Sequence, residues 1–309
     1  MDKWSAVAQV VVPIFAAVFA GVYARRKNLL TVNGVKGMQQ YVMSFGLPCV
    51  IFNSCLNASI NAESLTSFVM VLPLMILSSF AAFFVLKKRF PYHNMPMLFA
   101  AQESGMLGIP LYLTLFGATH MFKIGVLDLA QALTCIGMIA ILNADMGENP
   151  TIWDIAKEVL RSPILIMSAL GLLLNLSGAK DALAQVGVTP VFSETAQFLS
   201  QPVSALMLFS VGFNLSISSG NRDDILRMSV IRFVFFAVAG LLMQGIMCLL
   251  PQVEAETRWA ILLYSTLPGS YISTTLGRTQ AESEFTSGVC SVLTIVSLLI
   301  FCAIAVCVA

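Results

Sequence analysis

Ten apolar runs, each about as long as a bilayer is thick, constrain this chain more than any other feature. A spanning helix needs about 20 apolar residues, and such runs lie at 5–24, 38–56, 66–86, 95–117, 122–142, 160–177, 194–215, 228–250, 258–277 and 284–308. Charged residues make up only 11% of the chain, whereas a soluble domain carries about 25%. The sequence therefore predicts an all-α polytopic membrane protein with about ten transmembrane helices.

The distribution of basic residues predicts the orientation. If each run crosses the membrane once, all but four of the 17 lysines and arginines fall on the same side. The four on the other side are Lys3, Lys123, Lys180 and Arg258. Cytoplasmic loops carry the excess of lysine and arginine. We therefore expect a multi-pass protein of the cell (inner) membrane with both termini outside, in the periplasm.

Prolines recur in the same order in the two halves of the chain. Three pairs are separated by 150, 154 and 158 residues (163 − 13, 202 − 48 and 268 − 110), namely Pro13 with Pro163, Pro48 with Pro202, and Pro110 with Pro268. Five runs per half is an odd number, so a repeat of five inserts upside down relative to its twin. The pattern predicts a first five-helix repeat at 1–143, a cytoplasmic connecting loop at 144–159 and a second, inverted repeat at 160–309.

The fourth and ninth runs are interrupted at matching places. Pro110 and Pro268 each remove a backbone donor, and the glycines beside them leave helical geometry at little cost. Interrupted spans in corresponding positions of two halves are the best sequence pointer to a transporter's binding site. We expect the two spans to break near the midplane and to cross, which exposes half-helix ends with partial charges.

Glu103 lies beside the first interruption, about eight residues into its run. An ionised carboxylate at the bilayer centre costs roughly 2.5–3.5 kcal/mol, and keeping it protonated at pH 7 costs about as much. Its protonation can therefore respond to small changes in its surroundings. Three roles stay open: coupling to a proton or cation, direct contact with substrate, or a structural carboxylate that accepts hydrogen bonds from backbone donors at the break.

Other polar residues complete the predicted site. Asp128, Gln131 and Cys135 share one face of the fifth run; Asp128 either belongs to a polar stripe or is hydrated from the outer interface or paired with Lys123. Arg232 is expected in the first turn of the eighth span, with its side chain reaching the inner interface. No basic side chain is expected at the midplane. The predicted substrate-binding and coupling residues are Glu103, Ser104, Gly105, Gly108, Pro110, Ser265, Thr266, Pro268, Gly269, Ser270, Asn53 and Asp128.

The order and spacing of several short motifs resemble the auxin efflux carrier family, which includes the plant PIN carriers and the bacterial malate and malonate permeases. The likeness runs over nearly the whole chain. Its motifs are Leu47-Pro48 followed by Phe52, the run Glu103 to Pro110, the proline-led sixth run from Pro163 to Leu174, the small-residue run from Pro202 to Gly212, and Pro268 in the ninth run.

The resemblance implies two inverted five-helix repeats, a crossover of broken helices 4 and 9, a scaffold part and a moving part, and a homodimer. The implied fold is similar to that of bile acid/sodium symporters and sodium–proton antiporters, and the implied activity is transport of organic anions. Two positions depart from the family: Glu103 stands where asparagine is usual, and Gly269 follows Pro268 where many members have alanine.

These features predict a secondary active transporter, not an enzyme. The expected substrate is a small organic anion, either a mono- or dicarboxylate such as malate or malonate or an auxin-like acid. It would move by alternating access, with coupling to a proton or Na⁺ through Glu103 and with no cofactor, metal site or nucleic-acid partner. The alternative is a carrier of a neutral or cationic metabolite with Glu103 as its ligand. A channel is less expected, because the sequence shows no rings of like charge. A membrane sensor is less expected, because the sequence shows no signalling domain.

Overall fold

The computed structural model describes residues 3–58, 62–144, 153, 157, 161–185, 187–215, 222–250 and 253–308. These residues are helical apart from short connections and one isolated β-bridge. Within the described residues, six helices are long and apolar enough to cross a membrane, or seven if Pro163–Leu176 and Ala179–Gln185, bent by 80°, form one span. The chain is a multi-pass helical membrane protein, as predicted. The count falls below ten partly because the fourth and ninth runs are divided into pieces too short to span alone.

The chain forms two compact units, and each unit draws on both halves of the sequence. The first unit comprises Met1–Ile60, Ile109–Gly125 and Ala156–Asn214, and the second comprises Asn61–Gly108, Val126–Ile155 and Leu215–Ala309. The predicted repeats at 1–143 and 160–309 are two similar halves of the sequence, which is a different division from these compact units. The repeats therefore stay a prediction. The predicted loop at 144–159 lies outside the described residues, except for Ala144, Trp153 and Lys157.

In the first unit, two helices approach each other at glycines. Its helices are α1 (Lys3–Arg26), α2 (Val32–Tyr41), α3 (Leu47–Leu56), α7 (Ile109–Phe116), α9 (Pro163–Leu176), α10 (Ala179–Gln185), α11 (Val188–Ser200) and α12 (Val203–Asn214), with a π-helical turn at Val42–Gly46 joining α2 to α3. A Cβ on Gly212 of α12 would collide with the backbone of Val18 in α1, and a Cβ on Gly21 would collide with the backbone of Phe209. Small residues allow this close backbone packing in membrane helices.

We expect Gly212→Val to destabilise the first unit. Backbone atoms cannot move aside as a flexible side chain can, so the added carbons force α1 and α12 apart at a cost of about 1–3 kcal/mol or more. The melting temperature of the purified protein, followed by tryptophan fluorescence, measures the loss. Gly125→Val is the matched control, because nothing lies within 4 Å of a Cβ at that helical glycine. Equal melting temperatures for the two variants would contradict the close-packing argument.

The second unit contains the interrupted helices. Its helices are α4 (Ala62–Ala81), α5 (Lys87–Arg89), α6 (Met95–Ala100), α8 (Met121–Ala144, of which the first five residues belong to the first unit), α13 (Arg222–Cys248), α14 (Ala255–Ser265), α15 (Ile272–Thr275) and α16 (Gln280–Val308), with π-helical turns at Ala82–Leu86 and Ser104–Gly108. A buried apolar cluster that includes Phe99, Met228, Phe285 and Val289 packs α6, α13 and α16 together.

Two buried carboxylates hold helix starts in this unit. Glu63 accepts hydrogen bonds from the backbone N–H of Glu254, at 3.2 Å, and from the hydroxyl of Thr257, where α14 begins. Glu282, in the first turn of α16, accepts from the backbone N–H groups of Arg278 at 2.7 Å and His93 at 3.3 Å. Helix N-termini expose unpaired N–H groups with a partial positive charge, so a carboxylate is a favourable partner there. Both acids therefore have structural contacts.

Candidate functional site

The two breaks pair with each other within the second unit. The first break is Ala101–Glu103, between α6 and the π-helical turn, and the second is Thr266–Tyr271, between α14 and α15. Gln102 and Gly269 form an antiparallel β-bridge. The N–H of Glu103 donates to the carbonyl of Pro268 at 2.9 Å, and the N–H of Ser270 donates to the carbonyl of Ala101 at 3.1 Å. The two interruptions thus meet, and the two chain segments are hydrogen-bonded to each other there.

Proline and glycine have different roles at the two breaks. Pro268 lies within the second break, and a Cβ on Gly269 would stand 2.5 Å from the carbonyl oxygen of Leu98, so only glycine fits there without movement. Pro110, in contrast, is the second residue of α7 and lies beyond the first break, which corrects the prediction that it interrupts the fourth run. The π-helical turn at Ser104–Gly108 and α7 form one continuous helix, Ser104–Phe116, and Pro110 lies inside it, where it removes one backbone hydrogen bond without ending the helix.

Arg232 lies where α6 and α14 end and the two breaks begin, a position that the sequence did not predict. Its side chain is 1% exposed. Its Nε donates to the carbonyls of Leu98 and Phe99 at 3.1 and 3.0 Å, Nη1 to Leu267 at 2.7 Å, and Nη2 to Ala101 at 2.9 Å and to Oε1 of Gln102 at 2.7 Å. The guanidinium also stands over the ring of Phe236, 4.9 Å from its centroid. One buried cation thus binds the carbonyl ends of α6 and α14.

This position corrects two expectations about basic residues. Arg232 is not in the first turn of its helix, because α13 begins at Arg222 and places it ten residues further on. Ten residues correspond to about 15 Å along a helix. The side chain is not exposed at the end of the helix but buried among the carbonyl groups of the two breaks. The last carbonyls of a helix carry a partial negative charge, which a buried cation offsets.

Glu103 accepts hydrogen bonds where the two breaks end and helical structure resumes, from backbone N–H groups. It is 6% exposed, and its Oε1 accepts from the N–H of Met106 at 3.2 Å while its Oε2 accepts from the N–H of Tyr271 at 2.6 Å. Met106 lies in the π-helical turn after the first break, and Tyr271 immediately precedes α15. The geometry matches the structural role foreseen for this carboxylate and leaves its coupling and substrate roles untested.

The predicted polar face of α8 is present beside the first break. The hydroxyl of Ser104 donates to Oδ1 of Asp128. The amide of Gln131 pairs with the backbone of Gln102: Oε1 accepts from its N–H at 2.7 Å, and Nε2 donates to its carbonyl at 3.0 Å. Oε1 also accepts from the hydroxyl of Tyr264 at 2.7 Å. Asp128 and Gln131 thus both hold the opened chain.

The other predicted site residues fall into two groups. Gly105 lies in the π-helical turn, and Gly108, at its end, approaches Leu267, whose Cδ1 would be 2.6 Å from an added Cβ. The hydroxyls of Ser265 and Thr266 donate to carbonyls of their own helix, Leu262 and Leu263, both at 2.8 Å. Ser270 accepts from the N–H of Ile272 at 3.4 Å. These residues lie in the second unit with Glu103.

Asn53 and Pro110 belong to the first unit instead. Oδ1 of Asn53 accepts from Ser193 at 3.1 Å and from Asn57 at 3.3 Å. The carbonyl of Pro110 accepts from Thr114 at 2.8 Å and from Ser204 at 3.5 Å. These contacts give both residues structural partners among neighbouring helices.

A buried donor at the paired breaks has no partner. Oε1 of Gln102 accepts from Arg232, which fixes the orientation of the amide, and Nε2 is buried without a hydrogen bond. A buried unpaired donor costs about 1–3 kcal/mol and indicates a place for water or a ligand oxygen. Among the described residues, no group of three or more His, Cys, Asp or Glu side chains could hold a metal ion.

A cavity lies elsewhere in the second unit. It measures about 700 Å³ and is lined by α4, α8 and the residues between α4 and α5, including Ile76, Phe80, Phe84 and Ile141. Phe80, Phe84 and Ile141 are more than half exposed. A mainly apolar, open lining is typical of a surface that faces lipid, and no residue of the paired breaks lines this cavity. The paired breaks, with their buried polar groups, are therefore the better candidate for a substrate site.

Comparison with known proteins places the chain in a family. Residues 6–159, about half of the chain, match the family described as membrane transport protein. This chain belongs to the auxin efflux carrier family. No curated protein matches it. Members of the auxin efflux carrier family are transporters and not enzymes, and the matched region includes the first break, Glu103 and Asp128.

Glu103 of this auxin efflux carrier makes contacts that need two acceptor oxygens. A carboxylate has two, whereas asparagine, which the resemblance described above led us to expect at this position, has one side-chain oxygen. Both oxygens of Glu103 are used, one for each break. In this carrier, a single side chain therefore joins the two N–H ends. Arg232 and the second break lie beyond the matched residues.

Proposed function

We propose that this chain is a secondary active transporter of a small organic anion, either a mono- or dicarboxylate such as malate or malonate or an auxin-like acid. The observation that carries the proposal is the position of the Glu103 carboxylate on the N–H groups of Met106 and Tyr271. The same donors suit the carboxylate of a substrate, since helix starts favour anions. The unpaired Nε2 of Gln102 adds a donor beside them.

Glu103 sets the condition for anion binding in this proposal. While it is ionised, it occupies the two donors and repels a second carboxylate. Once it is protonated or bound to Na⁺, that repulsion disappears and the substrate takes over the N–H groups. Binding of the coupling ion and binding of the anion are then favourable together, as symport by alternating access requires. Asp128, held by Ser104, would add to the repulsion if it were ionised.

A second candidate has support from the same contacts. Since both N–H ends already have a carboxylate partner, the site is electrically satisfied without a transported anion. A neutral or cationic metabolite could bind with Glu103 as its direct ligand and leave these hydrogen bonds in place. The two candidates differ in the charge of the substrate and in the effect of neutralising Glu103.

The proposal includes the setting of the transporter. We place it in the cell (inner) membrane with both termini outside, on the asymmetry of its basic residues. We assign it no enzymatic activity and no cofactor other than a coupling proton or Na⁺, and we expect a homodimer on the resemblance to its family.

Uptake into proteoliposomes tests the function. Radiolabelled malate, malonate and indole-3-acetate are supplied at saturating and subsaturating concentrations, with no gradient, an imposed pH gradient or an imposed Na⁺ gradient. We expect saturable uptake of at least one anion, counterflow by unlabelled substrate, and accumulation driven by one gradient. Counterflow distinguishes a carrier from a channel. Uptake of neutral or cationic metabolites with no uptake of any anion would favour the second candidate.

A further inference from the structure

A pocket lined by two arginines lies away from the paired breaks, within the second unit. It measures about 420 Å³, and its lining residues are Arg89, Leu226, Arg227, Val230 and Ile231. Arg89 is the last residue of α5, and Arg227 lies in the second turn of α13. Two arginine side chains from distant segments thus line one pocket, chiefly through their aliphatic stems, at helix ends where membrane proteins meet lipid headgroups.

The pocket carries an excess of positive charge. Asp224 stands 3.9 Å from Nη1 of Arg227, with both side chains partly exposed. An exposed pair of this kind is weak, and two guanidinium groups against one carboxylate leave a formal charge of +1. Two like charges around one pocket repel each other unless an anion lies between them. Arginine is the side chain best suited to phosphate, because its planar fork donates two parallel hydrogen bonds.

The floor of the pocket is apolar and continues along α13. Val230 and Ile231 follow Arg227 at spacings of three and four residues, so they share its helix face. The exposed face extends through Val234 and Val238, each 51% exposed, to Leu241, 65% exposed. From Val230 to Leu241 the helix rises about 16 Å, which is close to half of the ~30 Å hydrocarbon thickness of a bilayer.

We propose that this pocket binds an anionic phospholipid. Its phosphate lies between Arg89 and Arg227, and one acyl chain runs along the exposed aliphatic face of α13. Free phosphate would leave the apolar floor in water, whereas a lipid covers the floor and the charges together. Basic pockets between membrane helices bind anionic headgroups in this way. The site is separate from Glu103 and Arg232, so it can be tested whether or not transport is observed.

Lipid titration of the purified protein tests the proposal. Phosphatidylglycerol and phosphatidylcholine with identical acyl chains are added to the protein in detergent, and binding is measured by native mass spectrometry and by the rise in melting temperature. We expect phosphatidylglycerol to bind the wild-type protein more tightly. Each arginine near a headgroup contributes about fivefold in affinity, so the double variant Arg89→Gln/Arg227→Gln should bind it about 25-fold more weakly.

The controls separate this site from general attraction. The double variant Arg26→Gln/Lys27→Gln removes two exposed charges from the first unit, which supplies none of the residues that line the pocket, and should keep wild-type binding. If the Arg89/Arg227 double variant is poorly folded, each single variant should still lose about fivefold. Equal binding of the two lipids, an equal loss in the Arg26/Lys27 control, or equal stabilisation by inorganic phosphate or glycerol phosphate would overturn the proposal.

Discussion

Replacing Arg232 with glutamine should abolish transport and lower the melting temperature more than any other change considered for this protein. The guanidinium donates to four backbone carbonyls and to Gln102, and it joins the ends of both interrupted helices. Removing one partner of a buried charged network costs about 3–5 kcal/mol. Glutamine supplies two donors in place of five, so several carbonyls would be left without a partner and the paired breaks would shift.

Arg232→Lys distinguishes loss of geometry from loss of charge. Lysine retains the cation but concentrates its donors at one point, so it cannot reach carbonyls from both α6 and α14 together. We expect a smaller drop in melting temperature than for glutamine and a transport rate that stays at least about tenfold below wild type. Arg26→Gln, a change at an exposed arginine, should leave both measurements unchanged. Wild-type transport by either Arg232 variant would contradict a role in positioning the breaks.

Replacing Glu103 with glutamine should remove the response of transport to the driving gradient and increase affinity for the anion at high pH. The ionised carboxylate competes with an anionic substrate for the N–H groups of Met106 and Tyr271. For wild type, protonation at low pH relieves this competition, so KM should be low at low pH and should rise as pH rises. Glutamine is neutral at every pH and has one acceptor oxygen in place of two, so one N–H becomes available to the substrate.

We expect KM of Glu103→Gln to be roughly tenfold or more below wild type at pH 8 and to vary little with pH, as removal of a close like charge predicts. Initial uptake rates across a pH series, with and without an imposed proton or Na⁺ gradient, measure both effects. Glu194→Gln is the control, because Glu194 is exposed and belongs to the first unit. An unchanged gradient response would reject coupling through Glu103, and loss of all binding would favour a cationic substrate instead.

The sequence drew attention to the acidic side chains Glu103 and Asp128 because the relevant patterns are local. Glu103 lies in an interrupted apolar run, which is unusual enough to notice in isolation. Asp128 and Gln131 are three residues apart on one helix, so their shared face follows from helical geometry. In the structure both side chains contact the opened chain, through Ser104 and Gln102, which was not predicted.

The position of Arg232 was not predicted, because its hydrogen-bond partners are mainly backbone carbonyls, which no residue type marks in a sequence. Arg232 bonds mainly to backbone carbonyls, which every residue has, and these are free only because the helices break at Ala101 and Thr266. The start of α13 was also placed six residues too late (228 − 222), which moved Arg232 to an apparent helix end. A lone arginine within an apolar helix, with no acid spaced to pair with it, was the one available clue.

The contribution of proline was overestimated for a related reason. Pro110 was expected to open the fourth run, yet the opening lies before the π-helical turn, where Gln102 pairs with Gly269. The decisive factor is the approach of a second segment, more than 160 residues away in the sequence (269 − 102 = 167). Contacts of this kind are fixed by tertiary packing, and a single sequence without relatives does not reveal them.

The opposed contacts of Arg232 and Glu103 also affect how a solute reaches the site. Since the carbonyl ends face a cation and the N–H ends face an anion, the fields of these groups largely cancel a short distance away. Long-range attraction speeds association only where such a field extends into solution, and added salt then slows it. While Glu103 is ionised, the approach of a solute should therefore depend on collision and short-range fit and should change little with ionic strength. Once Glu103 is neutralised, the charge of Arg232 is no longer cancelled, so association of an anion should become slower as ionic strength increases.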